Sequence, residues 1–384
     1  MNGRSRGVVL VCISAVAFGA TYSDHAPLIP LMSADLGLDE LRAGLLSTAL
    51  FLAYLATTAA GVGVADRIGP RRSVALGLFS ALVGTALLAA APVYAVAFAG
   101  KALQGVGSAF AFISATRYIA ALYGGSRSHF ALGLYGAGFP LGSCLALLVL
   151  PSLATLFGGW RQALGTEAVL IAACLLAWRA APLIAHVPAA GGFGDAIRCP
   201  NCWACFVQHA AGFGLAISSG TWITLYLVRE FSLPLALSGA LGSLLLAVAV
   251  IARAAGGWLL VRERTPARTV MRMADLAVIA GVVVLALPGR PLLIALGGAG
   301  LVGLGVGLPY SAVFNTAAAS LRGAPAAAQG LAAMGGTFGV MVGAPAMGYA
   351  VQQYGFTAAW GFVAAVAVIA LGVTFVMRGE EELH

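Results

Sequence analysis

Charge is what this sequence has least of. Asp, Glu, Lys and Arg together make up 9% of its 384 residues, against about 25% in soluble domains. So few ionisable groups cannot build a water-facing surface. That excludes a soluble enzyme and a nucleic-acid-binding module, in spite of a net charge of +8. Lysine is nearly missing: Lys101 is the single one, and the other twenty basic residues are arginines. Cysteines are few and lie mostly in apolar runs. There Cys12, Cys144, Cys174, Cys199, Cys202 and Cys205 pack as small hydrophobes, and no disulfide framework is implied. The opening MNGRSRG leads into a long apolar run with no small-residue cleavage site before Asp24. It reads as a retained first helix, not a signal peptide.

What is present is hydrophobic: 61% of residues, with a mean hydropathy of +0.97. A membrane-spanning helix needs about 20 mostly apolar residues, and only helices or closed barrels satisfy their backbone in lipid. Barrel strands would alternate over segments of about ten residues. The apolar runs here are long and unalternating, so the chain reads as an all-α membrane protein. Twelve transmembrane helices are expected, at 7–31, 43–65, 73–91, 94–120, 130–153, 164–184, 203–228, 236–260, 271–287, 291–316, 326–349 and 357–377. With the N-terminus and the even-numbered connections on one side, that side holds fifteen arginines and the other four, Arg42, Arg161, Arg229 and Arg290. The positive-inside rule then puts both termini of this multi-pass protein in the cytoplasm, and its place in the plasma (inner) membrane.

The polar, Gly/Pro-rich stretch PAAGGFGDAIRCPN at 188–201 divides the helices six and six. The expected organisation is an N-terminal six-helix bundle over 1–185, a cytoplasmic linker over 186–201 and a C-terminal six-helix bundle over 202–384. A duplicated fold should repeat its features, and one is repeated weakly. GVGVADRIGPRR follows the second helix with Asp66, Arg67 and Arg71, and GGWLLVRERTPAR follows the eighth, where Arg262 matches Arg67 and Val261 replaces the Asp. A carboxylate near helix ends with basic residues beyond it can act as a charge latch between neighbouring helices.

The whole chain resembles the major facilitator superfamily. GVGVADRIGPRR is similar to that family's loop motif between helices two and three, and GKALQGVG to its fourth-helix RxxQG motif, with Lys101 in place of Arg. FGGWR, TWITLYL and GLGVGLPYSAVFN are further echoes. The resemblance implies two pseudo-symmetric six-helix bundles in the major facilitator fold, a secondary transporter working by alternating access, and no cofactor. Within the superfamily, IARAAGGWL and ALGLYGAGFPLGS look most like nitrate/nitrite porters and organic-anion carriers. Nitrate porters clamp their anion between an Arg in helix eight and another in helix two. Arg253 stands at the first place, but Thr58 stands at the second.

An ionisable group at membrane depth is expensive and marks a functional site by default. Arg253 lies about 12 Å from the cytoplasmic end of helix eight at 1.5 Å per residue, where it either pairs with an anionic solute or snorkels. Lys101 either takes part in proton coupling or hydrogen-bonds the helix-one backbone. Asp24 is the best carboxylate for pairing Lys101 or carrying a proton; the bland reading leaves it and His25 hydrated at the outer interface. Glu167 reads as interfacial. Tyr54, Thr58, Gln208, Tyr226, Tyr310, Asn315, Gln329 and His209 are candidates to line a central cavity, each equally able to bond neighbouring helices.

Cys199, Cys202, Cys205 and His209 fall on one stripe of a helix, and soft-metal ligands so placed suggest a transition-metal path. One straight helix cannot wrap a tetrahedral ion, so no metal is assigned. The sequence has no Walker run, no Ser/His/Asp set, no HExxH and no paired carboxylates, and no enzyme is expected. The expected function is secondary active transport of a small anionic solute by a monomer, with protons as a further partner. The rivals are export of hydrophobic or cationic compounds, metal handling, and solute sensing. Drug antiporters carry a helix-five GP-x-x-GG motif, from which GAGFPLGS departs.

Overall fold

The computed structural model describes residues 3–123, 127–184 and 193–383, without the side chains of 59–66, 113, 120, 123 and 127–130. Among these residues twelve helical spans are long and apolar enough to cross a membrane, and there is no strand. The count is the expected one.

The chain divides into two compact units, Met1–Leu38 with Leu45–Ala189, and Asp39–Gly44 with Ala190–His384. The first six spans are α1 (Gly3–Leu36), α2 (Glu40–Ile68), α3 (Pro70–Ala89), α4 (Tyr94–Tyr123), α5 (Arg127–Phe157) and α6 (Trp160–Trp178). The second six are α7 (Pro200–Phe231), α8 (Leu235–Val261), α9 (Ala267–Ala286), α10 (Leu292–Ser320), α11 (Pro325–Tyr354) and α12 (Phe356–Val373).

Three departures from the expected boundaries have clear causes. The α1 span is not one helix: it stops at Ser23, makes a 3₁₀ turn over Ala26–Leu28 and resumes at Ile29. Pro27 supplies no N–H to the helical ladder and disfavours helical backbone before it. Asp24 and His25 therefore sit in the break. The α6 helix starts earlier than expected, at Trp160, after Gly158 turns the chain with φ 81°. Trp160 and Arg161, expected to lie before the helix, are anchored in its first turn by hydrogen bonds to Asp35. In the third departure, the second half of the expected 186–201 linker is helical over Phe193–Arg198. Its Ala196 is buried in one cluster with Cys202 and Cys205. Residues 186–192 of that linker lie outside the described residues.

Internal repetition goes much further than the loop motif. A methyl group added to Gly84 would meet the Gly100 carbonyl oxygen at 2.6 Å, and one on Gly100 would meet that of Gly84 at 2.7 Å. The second unit makes the same reciprocal approach between Gly281 and Gly298, at 2.6 and 2.9 Å. Gly105 faces the Leu50 carbonyl, as Gly303 faces that of Leu245. Such backbone contact through small residues lets membrane helices pack where no hydrophobic drive exists. Polar contacts follow the same register. Arg71 donates to the Ala181 carbonyl at 2.9 Å, and Arg268 to that of Met377 at 3.4 Å. Helix C-termini expose orphan carbonyls with partial negative charge, which an arginine satisfies.

This register puts Thr58 and Arg253 at equivalent positions, each eight residues beyond its paired leucine, Leu50 and Leu245. Lys101 corresponds to Ala299. The units share a scaffold but differ in their buried chemistry.

Candidate functional site

In the first unit Asp24 and His25 of α1 and Lys101 of α4 share one buried network. Asp24, His25, Ser47, Thr85, Lys101 and Gln104 are all fully buried. The Asp24 carboxylate accepts hydrogen bonds from Lys101 Nζ at 2.7 Å, Gln104 Nε2 at 2.7 Å and the His25 backbone N–H at 2.6 Å. Lys101 Nζ also donates to the Thr21 carbonyl at 2.5 Å, and Gln104 Nε2 to Thr85 Oγ1 at 2.9 Å. His25 Nε2 lies 3.1 Å from Ser47 Oγ. One ammonium thus bonds both the Asp24 carboxylate and the helix-one backbone. The α1 break makes this geometry available, because Thr21 near the end of a helical segment has a carbonyl to offer.

An aromatic group lines the same unit. Tyr22 lies 5.0 Å from Phe51 and 5.7 Å from Phe139, ring centre to ring centre. Tyr54 packs at 6.3–6.5 Å from Phe112 and Phe51. Thr58 is half-buried on α2, and its hydroxyl has no hydrogen-bond partner among the described residues. Glu167 differs from its interfacial reading. It is only 5% exposed, and neither carboxyl oxygen has a hydrogen-bond partner among the described residues. The early start of α6 explains this, since it carries Glu167 two turns into the helix.

The second unit gathers His209, Arg253 and Tyr310 around a cleft lined also by Gln208, Gly212 and Phe213. The Arg253 guanidinium carbon lies 4.4 Å from the centre of the Tyr310 ring. His209 stacks on Phe213 at 5.8 Å and meets Phe314 edge-on at 5.0 Å. His209 Nδ1 is 3.1 Å from the Ala332 carbonyl oxygen. A π-helical turn at Ala210–Gly214 follows His209 directly, and such turns are frequent at functional sites. Gln208 donates to the Ala370 carbonyl at 2.6 Å and approaches Asp275 Oδ2 at 3.4 Å.

Other expected site residues lie elsewhere. Tyr226 is roughly 25 Å along α7 from His209 at 1.5 Å per residue. There its hydroxyl donates to the Leu285 carbonyl at 3.1 Å and accepts from Arg290 Nε at 2.5 Å. Asn315 is exposed, and Gln329 donates to the Phe314 carbonyl at 3.2 Å. Cys202 and Cys205 are buried among Val270, Met271 and Leu331, while Cys199 lies at that cluster's edge. Among the described residues no three His, Cys, Asp or Glu side chains come together as a metal-ligand group. In the latch motif the Asp66 side chain lies outside the described residues. Arg67 is exposed, and Arg71 ties α3 to the end of α6 through the Arg179 and Ala181 carbonyls.

Sequence reasoning passed over two groups. Gln104 was visible only as a motif letter, although it holds the second oxygen of Asp24. Asp275 is 4% exposed, three residues beyond Arg272, and reads in sequence as a helix-end charge.

Among the described residues, twelve helices long and apolar enough to cross a membrane, built on one repeated scaffold, define a multi-pass membrane protein. The family model described as Major Facilitator Superfamily matches residues 10–327, and the chain belongs to that superfamily. Two crystal structures of a bacterial homologue of the human lysosomal transporter Spinster share the fold. Both are inward-facing, one unoccupied and one occupied. They give TM-scores of 0.75 and 0.78 at 18% and 17% identity, covering 98% of this chain and 97% of theirs. A puromycin resistance protein of Streptomyces alboniger is 33% identical over 156 residues, which is 40% of this chain and 31% of that relative.

Proposed function

We propose that this chain is a secondary active transporter of a small anionic solute, working by alternating access with both termini in the cytoplasm. The Arg253–Tyr310 stack carries the reading. A cation–π contact uses the face of the guanidinium, while its N–H groups lie in the plane, where a carboxylate or oxyanion pairs in bidentate fashion. His209 and Gln208, on the same cleft, add polar edges to an otherwise apolar wall. Binding pockets orient a solute with a few such groups. The Asp24–Lys101 pair is the proton-coupling candidate, since it is the buried acid–base pair of the first unit. The expected six-helix bundles over 1–185 and 202–384, and the Asp66, Arg67 and Arg71 latch, belong to the same proposal.

The test is uptake into proteoliposomes over a panel of small carboxylates, nitrate and lipophilic cations, with and without a pH gradient. Anion uptake is expected, and Arg253→Ala should lower it at least tenfold, about 1.4 kcal/mol of lost interaction, without lowering the melting temperature. Unchanged uptake in that variant, or flux of the cations alone, would overturn the reading. The second outcome would favour export of hydrophobic cations.

A further inference from the structure

Among the described residues, Glu167 is the one buried acid of the first unit for which the network around Asp24 has no use. It lines a pocket between α1, α5 and α6 of about 490 Å³, within the range of roughly 300–1,000 Å³ found for small-molecule sites. The other walls are almost wholly apolar. Val16, Ala17 and Ala20 come from α1, Leu150 and Leu153 from α5, and Ile171 from α6. At the rim Ile13, Leu145, Val149 and Leu170 are 39–67% exposed. Each lies on a membrane span, so the mouth opens sideways to lipid and not to water.

Chemistry narrows what such a pocket can take. A carboxyl group offers up to four acceptor sites when ionised, and leaving a buried acceptor unmade is costly. A purely apolar guest would leave Glu167 as it stands. An acidic guest would be repelled. A polar guest without an apolar body would gain nothing from the walls. The Asp24 carboxylate is already engaged by Lys101 at 2.7 Å, whereas both carboxyl oxygens of Glu167 are without a hydrogen-bond partner among the described residues. The complementary ligand has one cationic N–H donor on a hydrocarbon chain.

We propose that this pocket is a laterally entered binding site for amphiphilic primary amines, with the alkyl chain between α1, α5 and α6 and the ammonium on Glu167. The site is independent of the anion reading, because it uses no group of the second unit.

The experiment is binding of radiolabelled dodecylamine to the full chain in phosphatidylcholine nanodiscs, with protein-free nanodiscs as background. Saturable binding is expected, with dodecylamine competing at least tenfold better than dodecanol or dodecanoate. Glu167→Gln should weaken it at least tenfold. Val149→Trp, which fills the mouth from an exposed position and keeps the acid, should abolish it. Arg253→Ala should leave it intact, so a failed anion reading and a failed amine site are told apart. Equal competition by dodecanol, or full affinity in a folded Glu167→Gln protein, overturns the proposal. If Glu167→Gln does not fold, Val149→Trp decides: retained saturable binding overturns the site and its loss supports it.

Discussion

Replacing Lys101 with methionine is expected to destabilise the protein by about 3–5 kcal/mol, the cost of stranding one charge of a buried pair. Asp24 would keep its bonds from Gln104 and the His25 N–H, but both are neutral donors, and the Thr21 carbonyl would lose its partner. Removing both charges together, as Asp24→Asn with Lys101→Met, should recover most of that loss, since an uncharged pair carries no desolvation penalty. Chemical denaturation of the four proteins of this double-mutant cycle measures the coupling directly. Strict additivity of the two single changes would refute it. Transport gives a separate readout. Under the proton-coupling proposal, Asp24→Asn loses stimulation by a pH gradient while solute exchange at equal pH persists.

Gly256→Ala is expected to lower uptake at least tenfold, as much as Arg253→Ala does. A methyl group there would run into the Leu308 carbonyl oxygen and come within 3.0 Å of its carbon, and a backbone atom cannot swing aside as a side chain can. The helices α8 and α10 would have to separate. Overpacking of this kind costs about 1–3 kcal/mol. Gly256 is one turn from Arg253, and Leu308 lies just before Tyr310, so the separation falls where guanidinium and ring meet. The neighbouring Gly257→Ala is the control. Its methyl would meet only Ser311 Oγ, at 3.5 Å, and near-normal melting temperature and uptake are expected. Normal transport by the Gly256→Ala protein would show that the α8–α10 contact does not set the position of Arg253.

The number of spans and the family were legible because both rest on features that are local in sequence: unbroken apolar runs and short motifs at their ends. Lys101 and Arg253 were legible for the same reason, as charges within such runs. Partners were harder. Gln104 and Thr85 carry no charge, and nothing in the order of residues says that their amide and hydroxyl meet at Asp24. Glu167 reads as interfacial because helix six is expected to begin at 164, and Asp275 is passed over. The structure buries both, at 5% and 4% exposure. The repeated scaffold was almost invisible, since it is written in glycine-to-carbonyl contacts and glycine is common throughout, with 51 in the chain. Tyr226 shows the opposite error. Its residue type suited a solute site, but its depth along α7 joins it to Arg290.

The solitary lysine has a practical consequence. Lys101 is the chain's one ε-amine, and it is fully enclosed. An acylating reagent that modifies primary amines should therefore leave the folded chain unlabelled apart from its α-amino group, and should reach Lys101 only when α1 and α4 part. The extent of acylation at that single side chain, read by mass spectrometry against time, becomes a clock for opening of the first unit. No engineered probe is needed.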